Sequence, residues 1–257
     1  MFCYNTSLRQ LAMCVRIQRG EVNMKNIKAV FFDADDTLLD HIACEKYALA
    51  EMFQKIGVNY KHSYRDVFRD IEIELWDNST MPRENIFVHR FARLFETLNI
   101  PYLQAGKANE YYCEALSQAG FSLEHSENVV KCIQEKGILI CVVTNGLDAM
   151  QRSRISNSTF GRYISHIVTS EEVGIPKPNP LIFEVLLKKI NLTAKDVLMV
   201  GDSLQNDILG AKNAGIQSVW YNPNRIHNET DISPDYEIHD LRELLTLLCV
   251  FASGNTP

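Results

Sequence analysis

Two aspartates lie two residues apart in FFDADDTLLD, directly after a short apolar run, and their types and spacing suit chemistry on an electrophile. Asp33 ends the run IKAVFFD, and Asp35 follows at i+2, where a strand would open into a turn. Both carboxylates can then face one site. One can attack while the other handles protons, provided a cation suppresses their repulsion. Asp and Thr are also ordinary turn and cap residues, so D-x-D-x-T through Thr37 has a purely structural reading when taken alone.

Three further segments extend the pattern. VVTNG puts Thr144 at the end of another apolar run, with Asn145 and Gly146 opening the next helix. A hydroxyl beside unpaired main-chain N–H groups suits a phosphate, although a plain helix cap has the same composition. IPKPNP holds Lys177 between Pro176 and Pro178, whose stiff backbone can aim an ammonium that would otherwise sit in water. VLMVGDSLQND ends a run with Asp202, and Asp207 follows in the turn to a helix. Such hard oxygen donors fit octahedral magnesium; Asp207 also reads as a cap. Four such elements in this order, each at a strand end, argue for one composite site.

The elements that must position these groups can be read from periodicity. Apolar runs rich in β-formers at 27–33, 137–144, 197–202 and 217–221, with a weaker one at 166–170, predict buried strands of a parallel sheet. Helical patterns at 126–135, 147–156, 180–190, 206–214 and 241–249 separate them, so the expected class is α/β with helices on both faces. The stretch 41–118 breaks this alternation. Leu49, Met52, Phe53 and Ile56, and later Phe87, Phe91, Leu94, Phe95 and Leu98, follow helical spacing, which predicts a small bundle inserted in the α/β core of 24–40 and 119–257. Its aromatics, Trp76 among them, read as that bundle's own core.

Composition narrows the function classes. The chain has 257 residues, 46% hydrophobic and 23% charged, with a formal net charge of -6, which disfavours a polynucleotide as partner. No run approaches a bilayer span, so a soluble, cytoplasmic protein without a membrane partner is expected. The seven cysteines form no C-x-x-C pair, and Cys132 and Cys141 read as buried thiols. Residues 1–23 read as a disordered tail or an extension upstream of Met24. Oligomeric state has no signature in the sequence.

The ordered set FFDADDTLLD, VVTNG, IPKPNP and VGDSLQND resembles the four motifs of the haloacid dehalogenase-like hydrolase superfamily, over essentially Ile27 to Cys249. The resemblance implies a Rossmann-like core and an Asp33 nucleophile that forms an aspartyl-phosphate. Asp35 would be general acid and base. Thr144, Asn145 and Lys177 would hold the phosphoryl group. Mg2+ would bind Asp33, Asp202 and the main-chain carbonyl of Asp35, with Asp207 supporting the metal or the lysine. The inserted bundle resembles the family's C1 cap, which implies closure over the site.

TNGLDAMQRSR, TSEEVGIPKPNPLIF and VLMVGDSLQNDILGAKNAGI are similar to the bacterial pyrimidine 5′-nucleotidase group. A nucleoside monophosphate is therefore the expected substrate, with phosphoglycolate or a sugar phosphate as the alternative. ELW at 74–76 and HRF at 89–91 also resemble that group's cap, which makes Trp76, His89 and Arg90 worth testing, although each also reads as structural. NSTMPREN at 78–85 lacks the glycine expected there. Haloacid dehalogenation fits less well because Asp35 and Asp202 are both present; loss of Asp33, Asp35, Lys177 or Asp202 would signal a non-catalytic binding module, and all four are intact.

Overall fold

The computed structural model describes residues 16–17, 27–78, 81–101 and 104–252. The tail reading for residues 1–23 lies outside them, apart from the two-residue strand β1 (Arg16–Ile17), which pairs antiparallel with the last strand.

The remaining strands are β2 (Ala29–Phe32), β3 (Leu139–Thr144), β4 (His166–Thr169), β5 (Val197–Gly201), β6 (Gln217–Tyr221) and β7 (Tyr236–Ile238). They pair in parallel, and the sheet order is β1-β7-β6-β5-β2-β3-β4. Strand side chains alternate between faces, and here both faces are apolar. Val30, Phe32, Ile140, Val142, Leu198 and Val200 join Val129 and Ile133 of the helix Ser126–Gln134 on one side. Ala29, Phe31, Cys141, Val143 and Met199 join Ile182, Phe183 and Leu186 of the helix Leu181–Ile190 on the other. At roughly 1.5–3 kcal/mol for each large side chain buried, these two layers dominate the stability of the sheet.

The chain order determines where a ligand can sit. From β2 it proceeds to β3 and β4 on one side, then crosses to β5, β6 and β7 on the other. The reversal lies between β2 and β5, and a crevice outside the strand ends at such a point is the usual ligand site of an open α/β sheet.

Three local expectations need correction. β7 was not expected, because Tyr-Glu-Ile is too short and too polar to read as a strand, yet all three residues are buried. The expected helix at 206–214 is a π-turn over Leu204–Ile208 followed by a short helix, Leu209–Asn213. Cys132 is only half-buried, since Val129, Val130 and Ile133 form the inner face of its helix. Cys141 is buried as expected, and burial pushes its thiol up to about 12.

Residues His41–Phe121 form a second compact unit. Its four helices are His41–Lys55, Ser63–Asn78, Arg83–Thr97 and Ala105–Gln118. Leu49, Met52, Phe53, Phe91, Leu94 and Phe95 are buried in it, while Phe87 and Leu98 are only half-buried. Phe68 meets Phe91 and Tyr112 with ring centroids 5.2 and 5.5 Å away. The side chain of Trp76 lies outside the described residues. Arg90 is buried, ion-paired to Glu72, with its guanidinium 5.2 Å from the Phe68 centroid and 4.8 Å from that of Tyr112. Among the described residues, no helix is long and apolar enough to cross a membrane.

Candidate active site

The parallel register aligns the motif residues. Phe32 is level with Val142 of β3 and with Val200 of β5, so Asp33, Thr144 and Asp202 leave the sheet at the same edge. The Asp33 N–H donates to Val200 O at 2.9 Å, which extends the ladder one residue and fixes the start of the D-x-D turn.

Lys177 is the hub of the site. Its side chain is buried, and Nζ donates to Asp33 Oδ1 at 2.5 Å, Asp207 Oδ1 at 2.7 Å and Val143 O at 2.8 Å. Its backbone is clamped by Asn145, whose Oδ1 accepts from Lys177 N at 2.7 Å and whose Nδ2 donates to Lys177 O at 3.1 Å. The Asn145 side chain is thus committed to the lysine, and what it can offer a phosphate is its main-chain N–H. Burial alone would lower the Lys177 ammonium, but the Asp207 and Asp33 carboxylates outweigh it and raise it. Lys177 therefore stays charged.

Asp207 is fully buried, and its second oxygen accepts from Ser203 N at 3.0 Å. Gly201 makes this approach possible: a Cβ there would lie 2.3 Å from the Asp207 carboxyl. The glycine of VGDSLQND is required by close contact.

Carboxylate oxygens of Asp33, Asp202 and Asp207 all lie within 4.8 Å of one another. Three buried or half-buried carboxylates face the single ammonium of Lys177, so the cluster carries surplus negative charge. Burial pushes Asp33 well above the ordinary carboxylate range; Lys177 opposes this, while Asp207 and Asp202 add to it. Burial likewise raises Asp202 to about 7, with Asp207 and Asp36 contributing. Hard oxygen donors with a charge deficit of this kind fit a divalent cation such as magnesium.

Asp35 stands apart from that cluster. Its Oδ2 accepts from Gln151 Nε2 at 2.7 Å, and its Oδ1 pairs with Arg154 Nη2 at 2.7 Å. Gln151 also donates to Thr144 Oγ1 at 3.2 Å, and that oxygen accepts from Gly146 N at 3.3 Å. Sequence reasoning missed Gln151 and Arg154, which lie one turn apart on the helix Asp148–Asn157. An i, i+3 polar pair on a hydrophilic helix reads as a solvated face, and only the fold reveals that both are buried.

The chain belongs to the haloacid dehalogenase-like hydrolases, whose family model matches residues 27–215. It is therefore a hydrolase. Among its relatives, the pyrimidine 5′-nucleotidase PynA of Streptococcus pneumoniae is 32% identical over 225 residues, covering 86% of this chain and 94% of PynA. The pyrimidine 5′-nucleotidase YjjG of Escherichia coli is 31% identical over 224 residues, covering 86% of this chain and 97% of YjjG. Among solved structures, the HAD-hydrolase YfnB of Bacillus subtilis, bound to magnesium, superposes with a TM-score of 0.79 at 28% identity, covering 87% of this chain and 99% of that one.

Proposed function

We propose that the chain is a magnesium-dependent phosphomonoesterase that works through an aspartyl-phosphate on Asp33 and acts on pyrimidine nucleoside 5′-monophosphates. The observation that carries this reading is the buried Lys177 ammonium, bonded at once to Asp33 and Asp207 at the switch point of the sheet. A fixed, charged donor beside a carboxylate nucleophile is what phosphoryl transfer needs, because that reaction depends chiefly on alignment and charge neutralisation.

In the first half-reaction an Asp33 oxygen bonds to phosphorus. The bond from phosphorus to the leaving oxygen breaks, and Asp35 gives that oxygen its proton. In the second, water attacks phosphorus, Asp35 takes the proton, and the bond from Asp33 to phosphorus breaks to release phosphate. Lys177, the Thr144 hydroxyl and the Asn145 main-chain N–H would hold the phosphoryl oxygens. Magnesium, held by Asp33, Asp202 and the main-chain carbonyl of Asp35, would supply neutralisation of phosphoryl charge. Asp207 aims Lys177.

The nucleotide assignment is supported by the similarity to PynA and YjjG, both named as pyrimidine 5′-nucleotidases. A phosphate-release screen tests it, comparing UMP, dUMP and dTMP with purine nucleotides, phosphoglycolate and sugar phosphates. Preference for pyrimidine monophosphates, lost in EDTA and restored by magnesium, is expected. Preference for a non-nucleotide ester would reject the substrate while leaving the phosphatase chemistry; hydrolysis indifferent to EDTA would reject the metal.

A further inference from the structure

One face of the helix Asp148–Asn157 holds the proposed acid/base and a proposed phosphate-binding hydroxyl together. Gln151 and Arg154 are both buried. Gln151 divides its amide between two site residues, donating from Nε2 to Asp35 Oδ2 at 2.7 Å and to Thr144 Oγ1 at 3.2 Å. Its Oε1 accepts from Arg154 Nη1 at 3.2 Å, while Arg154 Nη2 meets Asp35 Oδ1 at 2.7 Å. The guanidinium thus fixes which way the Gln151 amide points, since a flipped amide would set its oxygen against the Asp35 carboxylate.

Room for this arrangement comes from the glycine of VVTNG. A Cβ at Gly146 would lie 2.4 Å from Gln151 Nε2. A buried ion pair that served stability alone would need neither a bridge to Thr144 nor a cleared path for it.

We propose that Gln151 and Arg154 are positioning residues that hold the Asp35 carboxyl in register with Thr144 for proton transfer to the leaving oxygen. The inference rests on Asp35 being the general acid. In that step the proton passes from Asp35 to the leaving oxygen as its bond to phosphorus breaks. A poor leaving group such as an alkoxide needs the proton; p-nitrophenolate leaves without it. The ratio kcat/KM reports events up to release of the leaving group, so the later hydrolysis of the phosphoenzyme does not enter it.

The test compares kcat/KM for glycerol 2-phosphate and p-nitrophenyl phosphate in the wild type, Gln151→Leu, Arg154→Met and Asp35→Asn, with magnesium present. Gln151→Leu should cut kcat/KM for glycerol 2-phosphate by about 10- to 100-fold, within the usual reach of general acid catalysis, and leave p-nitrophenyl phosphate little changed. Arg154→Met should show the same selectivity; should it not fold, Gln151→Leu decides alone. Equal losses on both esters, or a change confined to KM, would overturn the inference in favour of a structural or phosphate-binding role. Selective loss in Asp35→Asn without selective loss in Gln151→Leu would reject the positioning role and keep Asp35 as the acid. No selective loss in Asp35→Asn would reject the acid, and the inference with it.

Discussion

Asp207 Oδ1 accepts a 2.7 Å hydrogen bond from Lys177 Nζ, and Asp207 Oδ2 accepts a 3.0 Å bond from the Ser203 main-chain N–H. A fully buried carboxylate with both oxygens engaged in this way fixes the direction of the ammonium. Asp207→Asn removes the charge and turns an NH2 group toward one of these donors. Breaking a buried pair of this kind costs about 3–5 kcal/mol, and a displaced Lys177 should lower kcat by about 100-fold. Urea unfolding and steady-state kinetics check both. Native stability and rate together would show that Asp207 does not fix Lys177.

Gly201→Ala tests the same contact from the other side. The new Cβ would lie 2.3 Å from the Asp207 carboxyl, whose two oxygens are both hydrogen-bonded. Overpacking of this kind costs about 1–3 kcal/mol. Gly106→Ala is the control, because a Cβ there meets nothing within 4 Å; in the first turn of its helix, it should change stability by less than about 0.5 kcal/mol. Similar stabilities for the two variants would show that Asp207 yields readily.

The metal account makes a prediction about pH. Without a cation, burial and then Asp207 and Asp36 raise Asp202 from 3.8 to about 7. Between those values the folded protein keeps a proton that the unfolded chain has released, so stability falls as pH rises, by at most about 1.4 kcal/mol per pH unit. Asp33, raised by burial, acts in the same direction. Asp148, lowered by its bond from Arg152, makes its contribution below the ordinary aspartate value of 3.8, outside this window. Magnesium binds ionised carboxylates and should offset the loss. In EDTA the Tm should therefore fall from about pH 4 to about pH 7, and the gain in Tm on adding magnesium should grow over that interval. A gain independent of pH would contradict the assignment of Asp202 to the metal.

Arg90 separates stability from selectivity. It is buried, ion-paired to Glu72 and enclosed by Phe68, Phe91 and Tyr112 within its own unit. Arg90→Met should cost about 3–5 kcal/mol by leaving Glu72 without its cation, while the ranking of esters in the phosphatase screen stays the same. A changed ranking at near-native stability would make Arg90 a specificity residue.

Much of this architecture was legible because a buried parallel strand reads as an apolar run, and a ligand-facing acid marks where it ends. Asp33, Thr144 and Asp202 could each be placed at the end of a strand on that basis alone, while the order that makes those strands neighbours comes from the fold. The partners of those groups were not legible. Arg154 and Gln151 look like ordinary helix-surface residues, and their burial depends on a β2 turn far earlier in the chain. Asn145 was expected at a phosphate, but its side chain binds the Lys177 backbone, a contact set by the tertiary approach of two loops. Gly146 reads as the opening of a helix and Gly201 lies in the apolar run 197–202, whereas in the fold each clears space for one particular side chain.

The central claim is that Asp33 takes the phosphoryl group, and trapping that acyl phosphate tests it most directly. The enzyme is acid-quenched during turnover of p-nitrophenyl phosphate with magnesium, reduced with borohydride and digested for peptide mass spectrometry. The account predicts homoserine at position 33 in the wild type and an inactive, folded Asp33→Asn protein. Full turnover by Asp33→Asn, or reduction at a different carboxylate, would contradict it.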